Sequence, residues 1–275
     1  MSTLFSGGID VFGASDVGLK RTNNEDHFMI AELTKAITLR QTNLEDRSVF
    51  DSLRGAEAQL MAVADGVGGT AGGEIASGTA VTALVEYVSR ATGCFNAMDT
   101  DSEHDFLAKL ENVVLQAHER VKASTPGGTP PATTLTMVTF VWPRAYIVHV
   151  GDSRAMYLHN GRLRTLTRDQ TMAEALVDAG ALTPEAAARS SLSHTLYSAL
   201  GSAEVIPSVG LVDFTAGDVL LLCSDGLTKH VTDERIQQVL SEPVTAEAMA
   251  KKLIAEALAG GGSDNVTVVV ARIVG

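Results

Sequence analysis

Apolar positions along the chain fall into two rhythms, one of strand length and one of helical spacing. Short apolar runs at 9–17, 26–31 and 60–64 read as strands bounded by polar or glycine-rich sequence. Between the last two, 33–59 (LTKAITLRQTNLEDRSVFDSLRGAEAQ) is polar, mixed and without a period, and reads as an inserted loop. From about residue 74 to 90 the spacing turns helical, with Ile75, Thr79, Thr82 and Leu84 to Val88 on one side; a second helix is predicted over 103–123. The segment TPGGTPP at 125–131 is a loop, because clustered Pro and Gly block both helix and ladder.

Strands dominate afterwards. Runs at 133–142, 144–150, 154–159 and 162–166 predict a meander, with Asn160-Gly161 as a hairpin turn between the last two. Alanine-rich helical sequence covers 170–189; strands follow at 206–213 and 218–223, helices at 232–241 and 245–259, and a last strand at 266–273. Grouped helices and strands in series disfavour an alternating βαβ sheet and favour an α+β arrangement of antiparallel sheets covered by helices. At 275 residues and 45% hydrophobic, the chain is read as one domain, 1–275, without internal repeats.

Charge and cysteines narrow the partners. A net charge of -12 argues against general affinity for nucleic acid or an anionic membrane. Two cysteines, Cys94 and Cys223, form no zinc pair or disulfide framework, and neither a signal-peptide pattern nor an 18-residue apolar run occurs. A soluble cytoplasmic protein, monomeric, is the expectation.

The candidate chemistry sits at acidic strand ends. Asp65 closes the run in MAVADGVGG, Asp225 closes LLLCSDG, Asp152 follows YIVHVG, and Asp264 precedes the last strand in GGSDN. An isolated Asp-Gly is most often a hairpin turn. Here, however, glycine and then helix follow Asp65-Gly66, and helical sequence follows Asp225-Gly226. Carboxylates gathered at neighbouring strand tips would repel by about 4 kcal/mol per pair at ~4 Å and an effective dielectric of ~20. A cation removes that cost, and all-oxygen ligands point to Mg or Mn. Gly66, Gly68 and Ala71 also fit a dinucleotide-binding G-x-G-x-x-A, but the acidic residue expected about 20 positions on is Glu86, inside helical sequence. The glycines better serve a tight turn beside Asp65 and a close backbone approach, with the Gly66 carbonyl available to a metal. Cys223 with Lys229 approximates the C-x5-R of thiolate phosphatases, yet the Arg is missing and Asp225 would raise the thiol pKa.

The ordered motifs Arg21-x-x-Asn-Glu-Asp26, Ala64-Asp65-Gly66-x-Gly68-Gly69, Thr133-Thr134-Leu135, Val150-Gly151-Asp152-Ser153-Arg154, Cys223-Ser224-Asp225-Gly226-Leu227 and Ser263-Asp264-Asn265-Val266-Thr267 span nearly the whole chain. The set resembles the bacterial PPM-type (type 2C) metal-dependent serine/threonine protein phosphatases. That resemblance implies a four-layer α-β-β-α sandwich, two antiparallel sheets flanked by helices, with a dinuclear Mn or Mg site at one end. It implies that Asp65 bridges both ions, that the Gly66 carbonyl binds the first, and that Asp225 and Asp264 bind the second. Glu25 would act through coordinated water, Asp26 would support that shell, and Asp152 beside Asp225 would favour a third ion. Arg21 would hold the substrate phosphate; a flap at 168–205 would tune access. The implied substrates are phosphoserine and phosphothreonine proteins made by a serine/threonine kinase. The chain departs from family members in carrying Val67 where many eukaryotic ones have His, Asp169-Gln170 for Asp-His, and Ala132 for Gly. Ser153, Arg154 and His149 are read as structural, and His194 as a surface residue.

Overall fold

The computed structural model describes residues 8–35, 55–67, 72–90, 100–125 and 131–274. Among these, two antiparallel sheets pack face to face. The first runs in the order β1 (Ile9–Asp16), β11 (Val266–Ile273), β10 (Val219–Cys223), β7 (Arg154–His159), β8 (Arg162–Thr165). In the second the order is β2 (Asp26–Lys35), β3 (Gly55–Val67), β5 (Leu135–Val141), β6 (Arg144–Val150), β9 (Ser208–Asp213), and β4 (Ala132–Thr133) pairs with the end of β3.

The period-two side-chain alternation of a strand explains the layers. Along β10, Leu220 and Leu222 enter the core between the sheets, whereas Val219, Leu221 and Cys223 face helices. On β3, Met61 and Val63 point inward and Ala62 and Ala64 point out to helices. Both faces are therefore apolar, which is why VLLLC reads as an unbroken run. Helices α1 (Gly72–Arg90) and α2 (Thr100–Ala123) cover the second sheet, where Ala76, Ala80 and Ala83 meet the small Ala62 and Ala64. On the first sheet, Ala246, Met249, Ala250, Leu253 and Ala257 make the buried stripe of a helix spanning Ala246–Ala259. Its N-cap Thr245 accepts the Ala248 N–H at 3.2 Å. The result is the expected four-layer α-β-β-α sandwich.

Four expectations change in detail. The loop assigned to 33–59 is too wide: β2 reaches Lys35 and β3 begins at Gly55, with Glu32 opposite Gln59 and Leu33 opposite Ala58. Short alternations, Ala31-Glu32-Leu33-Thr34 and Ala56-Glu57-Ala58-Gln59-Leu60, mark these strand ends, which pair with each other across a bulge at Leu33/Thr34. The remainder, 36–54, lies outside the described residues. Secondly, β3 does not stop at Asp65 but continues to Val67, pairing Gly66 with Thr133 of distant β4. Thirdly, the helical stretch 170–189 divides into α3 (Met172–Asp178) and α4 (Pro184–Ala187), separated by Gly180 at φ 69° and restarted by the Thr183 N-cap with Pro184. A 3-10 turn, Ser191–His194, follows, and bridges Thr171↔Leu196 and Thr133↔Leu200 tie this region to the sheet end. The Asn160-Gly161 turn matches expectation, both residues having positive φ (50° and 73°), but the expected four-strand meander divides into two hairpins, β5–β6 in the second sheet and β7–β8 in the first, because the chain crosses between sheets after Val150. Among the described residues, no helix is long and apolar enough to cross a membrane.

Candidate metal centre

One end of the sandwich collects the acidic residues. Asp26 opens β2 directly opposite Asp65 near the end of β3. Asp152 follows β6, Asp225 begins the short helix α5 (Asp225–Thr228) after β10, and Asp264 precedes β11. Arg21, Glu25, Asp65, Gly66, Asp152, Asp225 and Asp264 line one cleft of about 180 Å³. Asp26 lies beneath them, buried, and accepts a 2.7 Å hydrogen bond from Ser224 Oγ.

The surrounding backbone is fixed by groups the motifs contain. The Asp65 N–H donates to Thr134 Oγ1 at 3.0 Å, and the Asp65 carbonyl accepts from the Thr134 N–H and Thr133 Oγ1, both at 2.9 Å. Thr134 Oγ1 in turn pairs with Ser153 Oγ at 2.6 Å. A Cβ on Gly66 would collide with the Gly73 carbonyl and lie 2.8 Å from the Glu25 carbonyl oxygen, so close backbone approach requires glycine there. Asn265 joins three segments: its Oδ1 accepts the Glu25 N–H at 2.9 Å, and its Nδ2 donates to the carbonyls of Val17 and Asn23 at 2.9 Å each.

Electrostatically the cleft is frustrated. Burial, then repulsion from Asp26, Asp225, Asp152 and Asp264, pushes Asp65 well above the usual carboxylate range. Burial lifts Asp26 to about 6 despite its hydrogen bonds to Ser224 and Thr267, and lifts Asp152, with help from Asp225 and Asp169, to about 7. Asp26 Oδ1 and Asp225 Oδ1 are buried without a hydrogen-bond partner. Among the described residues, no three acidic side chains form a ready-made coordination sphere; cationic side chains lie among them instead. Lys229 Nζ stands 2.6 Å from Asp225 Oδ2 and 2.8 Å from Asp264 Oδ2, and Arg21 Nε stands 2.8 Å from Asp264 Oδ1. The acidic set fits a hard divalent cation, because two buried oxygens lack donors, the donor atoms are all oxygen, and mutual repulsion is what a cation relieves.

Arg21 sits at the cleft, 42% exposed, with Nε turned to Asp264. Glu25 is buried in the cleft wall. Val67, 40% exposed at the lip, carries no proton to donate. His194 is exposed at the rim. His149 is buried between Thr136 Oγ1 and the Arg168 carbonyl, at 2.9 and 3.0 Å, and burial pushes it down to about 4, a neutral core residue. Arg154 forms a two-pronged pair with Asp169 at 2.9 and 2.7 Å. The substituted Gln170 accepts the Gly151 N–H at 3.0 Å and donates to the Ile206 carbonyl at 2.8 Å, pinning the Asp152 loop to the segment entering β9. Cys223 is fully buried and burial pushes its thiol up to about 12, which rules out a thiolate nucleophile at neutral pH. Sequence reasoning overlooked Lys229 as a partner of the acidic set, although its i+4 spacing from Asp225 was visible. The roles of Asn265 and the two threonines were carried only as motif letters.

A cluster of carboxylates at one end of a two-sheet sandwich flanked by helices is the arrangement expected of PPM-type phosphatases. The family model described as "Protein phosphatase 2C" matches residues 38–259, and the chain belongs to that family. It is 39% identical over 263 residues to the serine/threonine protein phosphatase PstP of Mycobacterium tuberculosis, covering 94% of this chain and 44% of that protein. The chain thus spans less than half the length of that relative. Protein phosphatase PhpP of Streptococcus pneumoniae is 30% identical over 92% of this chain and 93% of its own length. Among solved structures, the Streptococcus agalactiae serine/threonine phosphatase superposes with a TM-score of 0.79 at 27% identity, over 97% of this chain and 100% of its own. The PstP catalytic domain in complex with two manganese ions superposes at 0.72 with 36% identity, over 97% of this chain and 99% of its own.

Proposed function

We propose that this chain hydrolyses phosphoserine and phosphothreonine in proteins, with two divalent cations, Mn or Mg, held by the acidic cleft. The observation that carries the reading is the buried acidic cluster with two partnerless oxygens, on Asp26 and Asp225, in a member of this family. Asp65, the Gly66 carbonyl, Asp225 and Asp264 would hold the ions, and Asp152 with Asp225 a weaker third. Bound divalent ions supply an activated water and neutralise the charge that develops on phosphoryl oxygens.

The chain's own residues do the rest. Thr133 and Thr134 fix the Asp65 backbone so that its carboxylate faces the cleft. Asp26, hydrogen-bonded to Ser224, and Glu25, tied through its N–H to Asn265, support the wall behind it. Arg21, a planar fork at the cleft, is suited to hold the phosphate oxygens and orient the ester. Val67 offers the departing alkoxide no proton, so that proton comes from water. Residues 168–205 serve as a flap over substrate entry within a single phosphatase domain. The phosphoproteins would be products of a serine/threonine kinase in the cytoplasm.

Purified protein with Mn and a phosphothreonine peptide should release phosphate, and chelation should abolish release. Absence of Mn-dependent hydrolysis of both that peptide and an aryl phosphate would overturn the reading.

A further inference from the structure

The acidic cluster is unevenly compensated. Asp225 and Asp264 share one ammonium, Lys229 Nζ, at 2.6 and 2.8 Å, and Asp264 also takes Arg21. Among the described residues, no lysine or arginine pairs with Asp26, Asp65 or Asp152 within salt-bridge distance.

Local structure places Lys229 there. It caps the single-turn helix α5, its N–H donating to the Asp225 carbonyl at 2.9 Å, so its side chain returns over Asp225 one turn earlier. The antiparallel β10–β11 pair then brings Asp264 within reach of the same ammonium. Only a quarter of the Lys229 side chain is exposed. Burial would pull its pKa down, but Asp225 and Asp264 outweigh that and raise it, so the group is a permanent cation at neutral pH. Burial would likewise raise Asp264, yet Lys229 and Arg21 hold it below the ordinary range.

We propose that Lys229 is a tethered counter-cation for Asp225 and Asp264, holding the pair in the metal-free chain and competing with a divalent ion for the same oxygens. The inference rests on the metal-binding reading above. An ion entering between Asp225 and Asp264 must displace the ammonium, so the chain's affinity at that position is lowered by its own side chain. Among the described residues, no lysine or arginine pairs with Asp65, so the position it would form with the Gly66 carbonyl faces no such competitor. The two ion positions therefore fill unequally, the Asp225–Asp264 position last.

Calorimetric titration with MnCl2 tests this on wild type, Lys229→Met, Lys229→Gln and Lys229→Arg, alongside thermal unfolding of each metal-free protein. Lys229→Met and Lys229→Gln should bind the weaker Mn at least fivefold more tightly, with a lower metal-free Tm and a larger rise on adding Mn. Lys229→Arg, which keeps the charge, should not bind more tightly. Equal or weaker Mn binding by both neutral variants, or the same gain in the Arg variant, overturns the proposal. Wild type that bound no Mn at all would sink the metal reading itself, an outcome distinct from normal binding unaffected by Lys229.

Discussion

Replacing Gly226 by Ala should damage both stability and metal binding, for a reason unrelated to glycine's flexibility. Gly226 is the second residue of α5 and is not among the positive-φ positions. Its constraint is space: a Cβ there would collide with the Asn265 carbonyl oxygen and lie 2.9 Å from the Asn265 carbonyl carbon and 3.3 Å from Val266 Cα. All three are backbone atoms at the start of β11, and none can rotate away. Either α5 or the start of β11 must shift, and the two are cross-linked by Ser224 N–H to the Thr267 carbonyl and by Thr267 N–H to Ser224 Oγ, both at 3.0 Å. Overpacking of this kind costs about 1–3 kcal/mol. Weakening one or two of those hydrogen bonds adds about 1 kcal/mol each. Gly226→Ala should therefore lose about 2–5 kcal/mol in urea unfolding of the metal-free protein. Because Asp225 precedes the clash and Asp264 lies just before Asn265, a shift of 1.4 kcal/mol in presenting them lowers Mn affinity about tenfold. A variant within about 0.5 kcal/mol of wild type, with unchanged Mn affinity, would refute the argument that this contact sets the carboxylate spacing.

Two further outcomes follow from the same framework. Thr134→Val keeps the volume but removes the oxygen that accepts the Asp65 N–H and pairs with Ser153; leaving those groups unpaired should cost about 1–3 kcal/mol by chemical denaturation, and Thr134→Ser should recover most of it. The metal-free protein should also lose stability as pH rises from about 4 to about 7. Asp26 and Asp152 titrate near 6 and 7 in the fold against about 3.9 for an unperturbed aspartate, so their protonated forms favour folding at the acidic end of that window, and together they outweigh the opposite effect of His149, which is held neutral down to about 4. Tm measured against pH in chelator should fall over this range and rise again with Mn; a Tm that increased steadily from pH 4 to 7 in chelator would contradict the raised values.

The strand and helix order was legible because most elements carry a strong local signal. The hairpins β5–β6 and β7–β8 are written in apolar runs and one Asn-Gly turn, though not their division between two sheets, and the 245–259 helix is written in its cap and stripe. What was hidden depends on distant pairing. The ends of β2 and β3 carry only short, alanine-based alternations beside a long polar stretch, and their pairing with each other is what makes them strands. The extension of β3 to Val67 needs β4, which no local pattern around Asp65 announces. Lys229 drew notice only for its spacing from Cys223, whereas its physical partners are Asp225, four residues back, and Asp264 on another strand.

The gathering of the carboxylates, by contrast, follows from one rule once the strands are known to be antiparallel. In such a pair the end of one strand lies beside the start of its neighbour. Asp26 starts β2 and Asp65 stands near the end of β3, so pairing these strands sets the two opposite each other. Asp225 follows β10 and Asp264 precedes β11, and the register Cys223↔Val268 brings those flanking positions to the same edge. Asp152 follows β6 while Thr134 precedes β5, with Leu135 opposite Val150, which sets Asp152 beside the threonine that holds Asp65. Each acidic residue thus lies on the side of its strand that points to one common end, three pairs in two sheets. Independent turn-forming aspartates would have no reason to choose the same end, and like charges would gain by choosing opposite ones. The repulsion accumulated there, visible in the raised Asp26, Asp65 and Asp152, is what a bound cation would relieve.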